Sequence, residues 1–136
     1  ADAIHARLAL IAGRSPKSRT AAEAFAAPEV STRDAVHVLL GAARAMGIPA
    51  RFVSGHCLDG PNARHHKSAH CWAELYIDQT GWLGFDPSMN RHPGESYVRV
   101  AIGLDASDAT PLSGSRTGGG LEEMDVAVRV EAGQAQ

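Results

Sequence analysis

The chain has 136 residues, 44% of them hydrophobic and 21% charged, which is the size and balance of one ordinary globular domain with a respectable core. No apolar run approaches the ~18 residues of a membrane span, so a membrane partner is not expected. A formal net charge of -2, from 13 basic and 15 acidic residues without a dense Lys/Arg block, speaks against nucleic acid as a partner.

Ile4, Leu8 and Ile11 recur at the i, i+4, i+7 spacing of a helix face, and Gly13 followed by Arg14-Ser15-Pro16 ends that run. Thr20 with Glu23 three residues later forms a capping box, predicting a second short helix over 21–27 that stops before Pro28. The longest helix is expected over 33–46, where Val36, Leu39, Leu40 and Ala43 share a face. Ala35, Val38 and Ala42 extend that face round most of the circumference, so this helix should be central and largely buried. Gly47 supplies its C-cap and Pro49 prevents it from resuming. Ser31-Thr32-Arg33-Asp34 is itself a capping-box pattern, so Ser31 or Thr32 would cap the helix.

Arg51–Gly55 reads as the first strand, and the polar stretch from His56 to Lys67, with Asp59-Gly60-Pro61-Asn62, as an exposed loop. Over Ser68–Ile77, Cys71, Ala73, Leu75 and Ile77 fall on one parity and His70, Trp72, Glu74 and Tyr76 on the other, the period-2 pattern of a strand with two different faces. Asp78-Gln79-Thr80-Gly81 then supplies turn chemistry, so that Gly81–Pro87 should fold back antiparallel and bring Asp86 to His70. A histidine beside a carboxylate is the base and orienter of nucleophilic catalysis. Tyr97–Ile102 is a further alternating strand, and Met124, Val126, Val128 and Val130 mark a last one beyond a flexible loop around Gly118-Gly119-Gly120. Helices before antiparallel strands predict an α+β domain, with the long helix packed on a sheet of about five strands. The whole chain, 1–136, is expected to be one domain, with a leading helix and linker over 1–19 and a core over 20–131.

The cysteines and histidines offer other chemistry as well. His56, Cys57, His65, His66, His70 and Cys71 could in principle ligate zinc, but they do not share one finger-type spacing, and neither a metal nor another cofactor is expected. Cys71 follows His70 directly and therefore faces the other side of a regular strand, which makes it a poor nucleophile for that histidine. Two cysteines make no disulfide framework, so a cytoplasmic location is the expectation. His37 is read as a packed histidine with one satisfied nitrogen. Trp72 and Trp82 are read as core or cleft wall, and they are the candidates for contact with a substrate.

Several separate motifs now stand in order: the run from Thr20 through Ser31-Thr32-Arg33-Asp34, then Gly47-Ile48-Pro49-Ala50-Arg51-Phe52-Val53-Ser54-Gly55, His70-x-Trp72-x-Glu74, and Trp82-x-Gly84-Phe85-Asp86-Pro87. Together, over roughly 20–131, they resemble the bacterial transglutaminase-like family, of the papain-like cysteine protease and transglutaminase superfamily. The resemblance implies a papain-like core and a Cys-His-Asp triad that attacks amide bonds of a peptide or protein and passes the acyl group to water or to an amine. It also implies an excised chain, because many members carry a β-rich domain ahead of this one. His70 and Asp86 match the family's histidine and aspartate. The cysteine falls within Gly-Val-Cys-Arg-Asp in the family, and here Val30-Ser31-Thr32-Arg33-Asp34 places Thr32 at the nucleophile position. A threonine hydroxyl is too weak an acid to profit from a helix N-terminus as a thiol does. The resemblance therefore implies a weakly active or inactive acyl-transfer domain, or else a non-catalytic module that keeps the cleft for a peptide or partner.

Overall fold

The computed structural model of the chain describes residues 2–10, 19–58 and 69–110. Among them the order is α1 (Asp2–Arg7), α2 (Ala21–Ala26), α3 (Thr32–Ala45), β1 (Ala50–Cys57), β2 (His70–Ile77), β3 (Gly81–Phe85) and β4 (Tyr97–Gly103). This is the predicted α+β arrangement. The described residues contribute four strands, and the further strand expected at 124–130 lies outside them.

Local signals set the helix ends. Thr20 caps α2 by accepting from the Glu23 N–H at 3.2 Å, while Glu23 Oε2 accepts from the Thr20 N–H at 2.8 Å. The same reciprocal pair opens α3, where Ser31 Oγ accepts from the Asp34 N–H at 3.2 Å and Asp34 Oδ2 accepts from the Ser31 N–H at 3.3 Å. Ser31 is thus the cap, and Thr32 is the first helical residue. At the other end Gly47 takes φ +74°, a left-handed conformation that suits glycine, and the Ile48 N–H closes on the Ala43 carbonyl at 2.9 Å.

α3 buries Ala35, Val36, Val38, Leu39, Leu40 and Ala43, most of its circumference, as its composition predicts. These side chains share one core with Ile4 and Leu8 at α1, Ala24 of α2, Phe52 of β1, and Cys71, Ala73 and Leu75 of β2. Fully burying a Val or Leu stabilises the fold by about 1.5–3 kcal/mol. Leu40→Ala in this packing should therefore cost about 2–5 kcal/mol. α1 is shorter than the spacing of Ile4, Leu8 and Ile11 suggests, and Ile11 lies outside the described residues.

The sheet is antiparallel throughout, in the order β3-β2-β1-β4. β1 runs on to Cys57, although the polar His56 and Cys57 read as loop in the sequence. Their backbone groups pair with Val98 and Tyr97 of β4, so a neighbour in space supplies what local alternation does not show. The opposite face of β2 carries Glu74, buried and held by Arg51 at 2.7 Å and by Arg99, an ion pair that ties β1 and β4 to β2.

This topology positions the site. The short 46–49 connection turns the chain back along α3, so the end of β1, the start of β2, the end of β3 and the start of β4 gather where α3 begins. Cys71, at the start of β2, lies within electrostatic reach of both Asp86 and the first-turn residues Arg33 and Asp34, as this packing requires.

Candidate active site

Asp86 follows the last residue of β3 and is fully buried. Its backbone pairs with Arg91, donating to the Arg91 carbonyl at 2.9 Å and accepting from the Arg91 N–H at 3.3 Å. Oδ1 accepts from the Ser88 N–H at 2.9 Å, the Ser88 hydroxyl at 2.6 Å and the Met89 N–H at 3.1 Å, the Asx-type turn that an aspartate makes over its own following residues. Oδ2 accepts from His70 Nε2 at 2.6 Å and from the Tyr97 hydroxyl at 2.7 Å. Burial, the largest single influence, pushes the Asp86 carboxyl up, but the hydrogen bonds and charge of His70 and the hydrogen bonds of Ser88 and Tyr97 outweigh it. The net result lies below the ordinary carboxylate range. Asp86 is therefore an ionised carboxylate at neutral pH.

An ionised carboxylate only accepts, so His70 Nε2 must carry the proton in this pair. In neutral His70 the lone pair then sits on Nδ1, the atom left to act as a base. The imidazole is walled on two sides: Tyr97 lies edge-on with ring centroids 5.7 Å apart, and Trp72 at 6.4 Å. Trp72 is buried and meets Tyr97 edge to face at 5.3 Å, so it is wall rather than platform. On the N-terminal side, His5 Nδ1 donates to the Pro87 carbonyl at 2.8 Å and ties α1 to the residue after Asp86.

Thr32 opens α3, half-buried, with the capping role already taken by Ser31. This is the positive end of a 14-residue helix, where unpaired N–H groups favour an anion. Cys71 points the other way from His70, into the core, as strand alternation predicts. Burial pushes its thiol up to about 12, with the Asp86 charge adding, so it stays neutral and is no nucleophile. No disulfide joins Cys57 and Cys71.

Trp82 is not brought to His70. It lies near the start of β3 opposite Tyr76, with the Arg51 guanidinium 4.0 Å above its ring. It lines an open groove of about 530 Å³ at the far end of the sheet, together with Arg44 and Leu104. Both arginines of that groove are committed: Arg44 donates to the Ala50 carbonyl at 3.0 Å and Arg51 is paired with Glu74. His37 is the packed histidine the sequence suggests, 5.3 Å from the Phe52 ring and accepting from the Ala106 N–H at Nε2 over 3.2 Å. Among the described residues no three His, Cys, Asp or Glu side chains form a group that could hold a metal ion, and His65 and His66 lie outside them.

The residue that sequence reasoning missed is Tyr97. It shows there only as the first position of an alternating strand. Its contacts arise because β4 lies beside β1, and no periodicity encodes that strand order.

An uncharacterized protein of Mycobacterium leprae (strain TN) is 33% identical over 102 residues, which is 72% of this chain and 36% of that protein. An uncharacterized protein of Mycobacterium tuberculosis (strain ATCC 25618 / H37Rv) is 29% identical over 101 residues, 68% of this chain and 32% of that protein. The chain thus spans about a third of the length of the curated relatives it matches. The crystal structure of a candidate cysteine protease from Cytophaga hutchinsonii matches with a TM-score of 0.68 at 28% identity, over 79% of this chain and 35% of that one. The shared architecture is papain-like. The family model of the transglutaminase-like superfamily matches residues 2–87, more than half of the chain and the whole stretch from α1 through Asp86. This chain belongs to the transglutaminase-like superfamily.

Proposed function

We propose that this domain keeps the base and orienting carboxylate of an amide acyl-transfer site, His70 and Asp86, and carries Thr32 where the nucleophile belongs. It is then weakly active or inactive as a thiol-type hydrolase or transglutaminase. The observation that carries the reading is the 2.6 Å bond from His70 Nε2 to the buried Asp86 carboxylate.

In such a site His70 Nδ1 takes the proton of the residue-32 nucleophile, which attacks the amide carbonyl of a peptide or protein. The nitrogen leaves with that proton, and water or an amine then displaces the acyl group. Asp86 holds the imidazole in the required tautomer and stabilises the imidazolium. A thiol at the helix N-terminus would be partly thiolate before substrate arrives. A hydroxyl is not, so Thr32 must lose its proton during the attack itself. The second reading, a non-catalytic module that holds a peptide or partner segment in the cleft, is favoured by the same combination of an intact pair and a missing thiol. A cytoplasmic setting belongs to this proposal, since it would keep both thiols reduced.

The test is a glutamine-containing peptide offered with a fluorescent primary amine. The unmodified chain should remain at background for both hydrolysis and amine incorporation. Thr32→Cys should raise one of them, and adding His70→Ala should abolish the gain. If the unmodified chain turns over the peptide and His70→Ala alone abolishes it, Thr32 is a working nucleophile and the reading is wrong.

A further inference from the structure

We propose that Tyr97, oriented by Arg91, is a positioning residue that locks Asp86 and thereby fixes which nitrogen of His70 faces the nucleophile. This rests on the reading of His70 and Asp86 as base and orienter.

Hydrogen-bond inventory decides the direction of each bond. The Arg91 guanidinium can only donate, and its Nε lies 2.9 Å from the Tyr97 hydroxyl oxygen. That oxygen must accept there, so the single Tyr97 proton is turned to its other neighbour, Asp86 Oδ2 at 2.7 Å. Arg91 therefore sets the polarity of the Tyr97 hydroxyl. Its own place is fixed by the backbone pair with Asp86, by a guanidinium 5.1 Å from the Tyr97 ring centroid, and by donation to Cys57 Sγ at 3.3 Å. Burial holds the Tyr97 hydroxyl protonated well above the usual phenol range, with the Asp86 bond and charge adding and the Arg91 bond opposing.

The consequence falls on His70. With Oδ1 of Asp86 filled by Ser88 and Met89 and one side of Oδ2 filled by Tyr97, the carboxylate has one orientation, and it offers His70 a single acceptor site. The Tyr97 ring also stands edge-on to both the imidazole and Trp72. A flip of His70 that gave Nδ1 to Asp86 would have to break the 2.6 Å bond and pass between these rings. Without the Tyr97 hydroxyl, Oδ2 would open to water, and a second tautomer of His70 would become accessible.

The experiment is nitrogen-15 NMR of His70 in the full chain, parent against Tyr97→Phe. This variant keeps the ring and removes only the hydroxyl. The parent should show one tautomer, protonated at Nε2, with a far-downfield Nε2–H resonance that exchanges slowly with solvent. In Tyr97→Phe that proton should exchange about ten-fold faster or more, the scale of one lost bond to a charged group, and the ring shifts should move toward a mixture of tautomers. A role confined to packing would leave the tautomer unchanged, so an unaltered spectrum in a folded variant overturns the inference. If Tyr97→Phe does not fold, Arg91→Gln decides, since it keeps the hydroxyl but frees its direction: faster exchange supports the inference and an unchanged rate overturns it. Thiol reactivity of Thr32→Cys, measured separately, keeps the two readings apart. A reactive thiol with an indifferent Tyr97→Phe spectrum sinks only this inference. An ordinary thiol with a responsive spectrum sinks only the functional reading.

Discussion

Replacing Asp86 by asparagine exchanges one oxygen for an NH2 group of the same size, and the structure dictates how the side chain must sit. The Ser88 and Met89 N–H groups can only donate, so the remaining oxygen stays at the Oδ1 position. The new NH2 then faces His70 Nε2 and the Tyr97 hydroxyl, two groups that both donate in the native protein. Tyr97 cannot simply reverse, because Arg91 already donates to it, and His70 can accept only by moving its proton to Nδ1. Two charge-assisted bonds, each worth about 1.5–3 kcal/mol, are lost and a weaker amide-to-imidazole bond is regained. The net destabilisation should be about 2–4 kcal/mol, measured by urea unfolding at pH 7. The base would meanwhile be lost, since the nitrogen facing the nucleophile would carry a proton. In a Thr32→Cys background, Asp86→Asn should therefore abolish any gain in thiol reactivity. A cost below about 1 kcal/mol together with an unchanged His70 tautomer would refute this account of the network.

The remaining predictions concern pH and packing. Because the Asp86 carboxyl lies below its ordinary 3.8 in the fold, its contribution is complete above that value. It is lost as pH falls through the native value, so acid unfolding of the parent should show a component that Asp86→Asn lacks. His37 is held below its ordinary 6.5, by burial first and by the Arg33 charge second, so its contribution disappears as pH falls from about 6.5 through the lower native value. The parent should lose more stability than His37→Gln between pH 7 and 5, and equal slopes would contradict the packed, neutral ring. Gly55 sits opposite His70 in β2, where an added methyl would meet the Val98 carbonyl oxygen at 1.9 Å and Trp72 Cη2 at 3.0 Å. Gly55→Ala should cost about 3 kcal/mol in a thermal or urea melt, as overpacked sites do, and a neutral result would mean that β1 and β4 are not so closely opposed there.

What the sequence made legible is what short-range chemistry controls. Thr20/Glu23 and Ser31/Asp34 each spell a reciprocal cap within four residues, and both form. The alternation around His70 and the turn after Ile77 set a two-strand register that carries Asp86 to the start of β2, next beyond the Ala73–Phe85 pair, and the Ser88 and Met89 contacts then help to hold its carboxylate on His70. The turn itself uses φ +67° at Gln79 and +90° at Gly81. Longer-range consequences were hidden. The extension of β1 through Cys57 depends on β4, forty residues further along, and so does the arrival of Tyr97 at Asp86. Trp82 read as a site candidate from its motif, yet its place near the start of β3 puts it beside Arg51 and Tyr76 instead. The family motif singled out residue 32, but only the cap geometry shows that Ser31 takes the capping work and leaves Thr32 at the first helical position.

In the proposed site, residue 32 at the start of α3 works together with the His70–Asp86 pair. The most direct measurement is the rate of iodoacetamide alkylation of Thr32→Cys against pH, with peptide mapping to separate the new thiol from Cys57 and Cys71. The helix N-terminus and a nearby imidazolium both favour thiolate, so the new thiol should titrate at least about one unit below the ordinary ~8.5 and should slow when His70 is replaced by alanine. A thiol that titrates near ~8.5 and ignores His70→Ala would show that the site is not assembled around residue 32, and the account would fall.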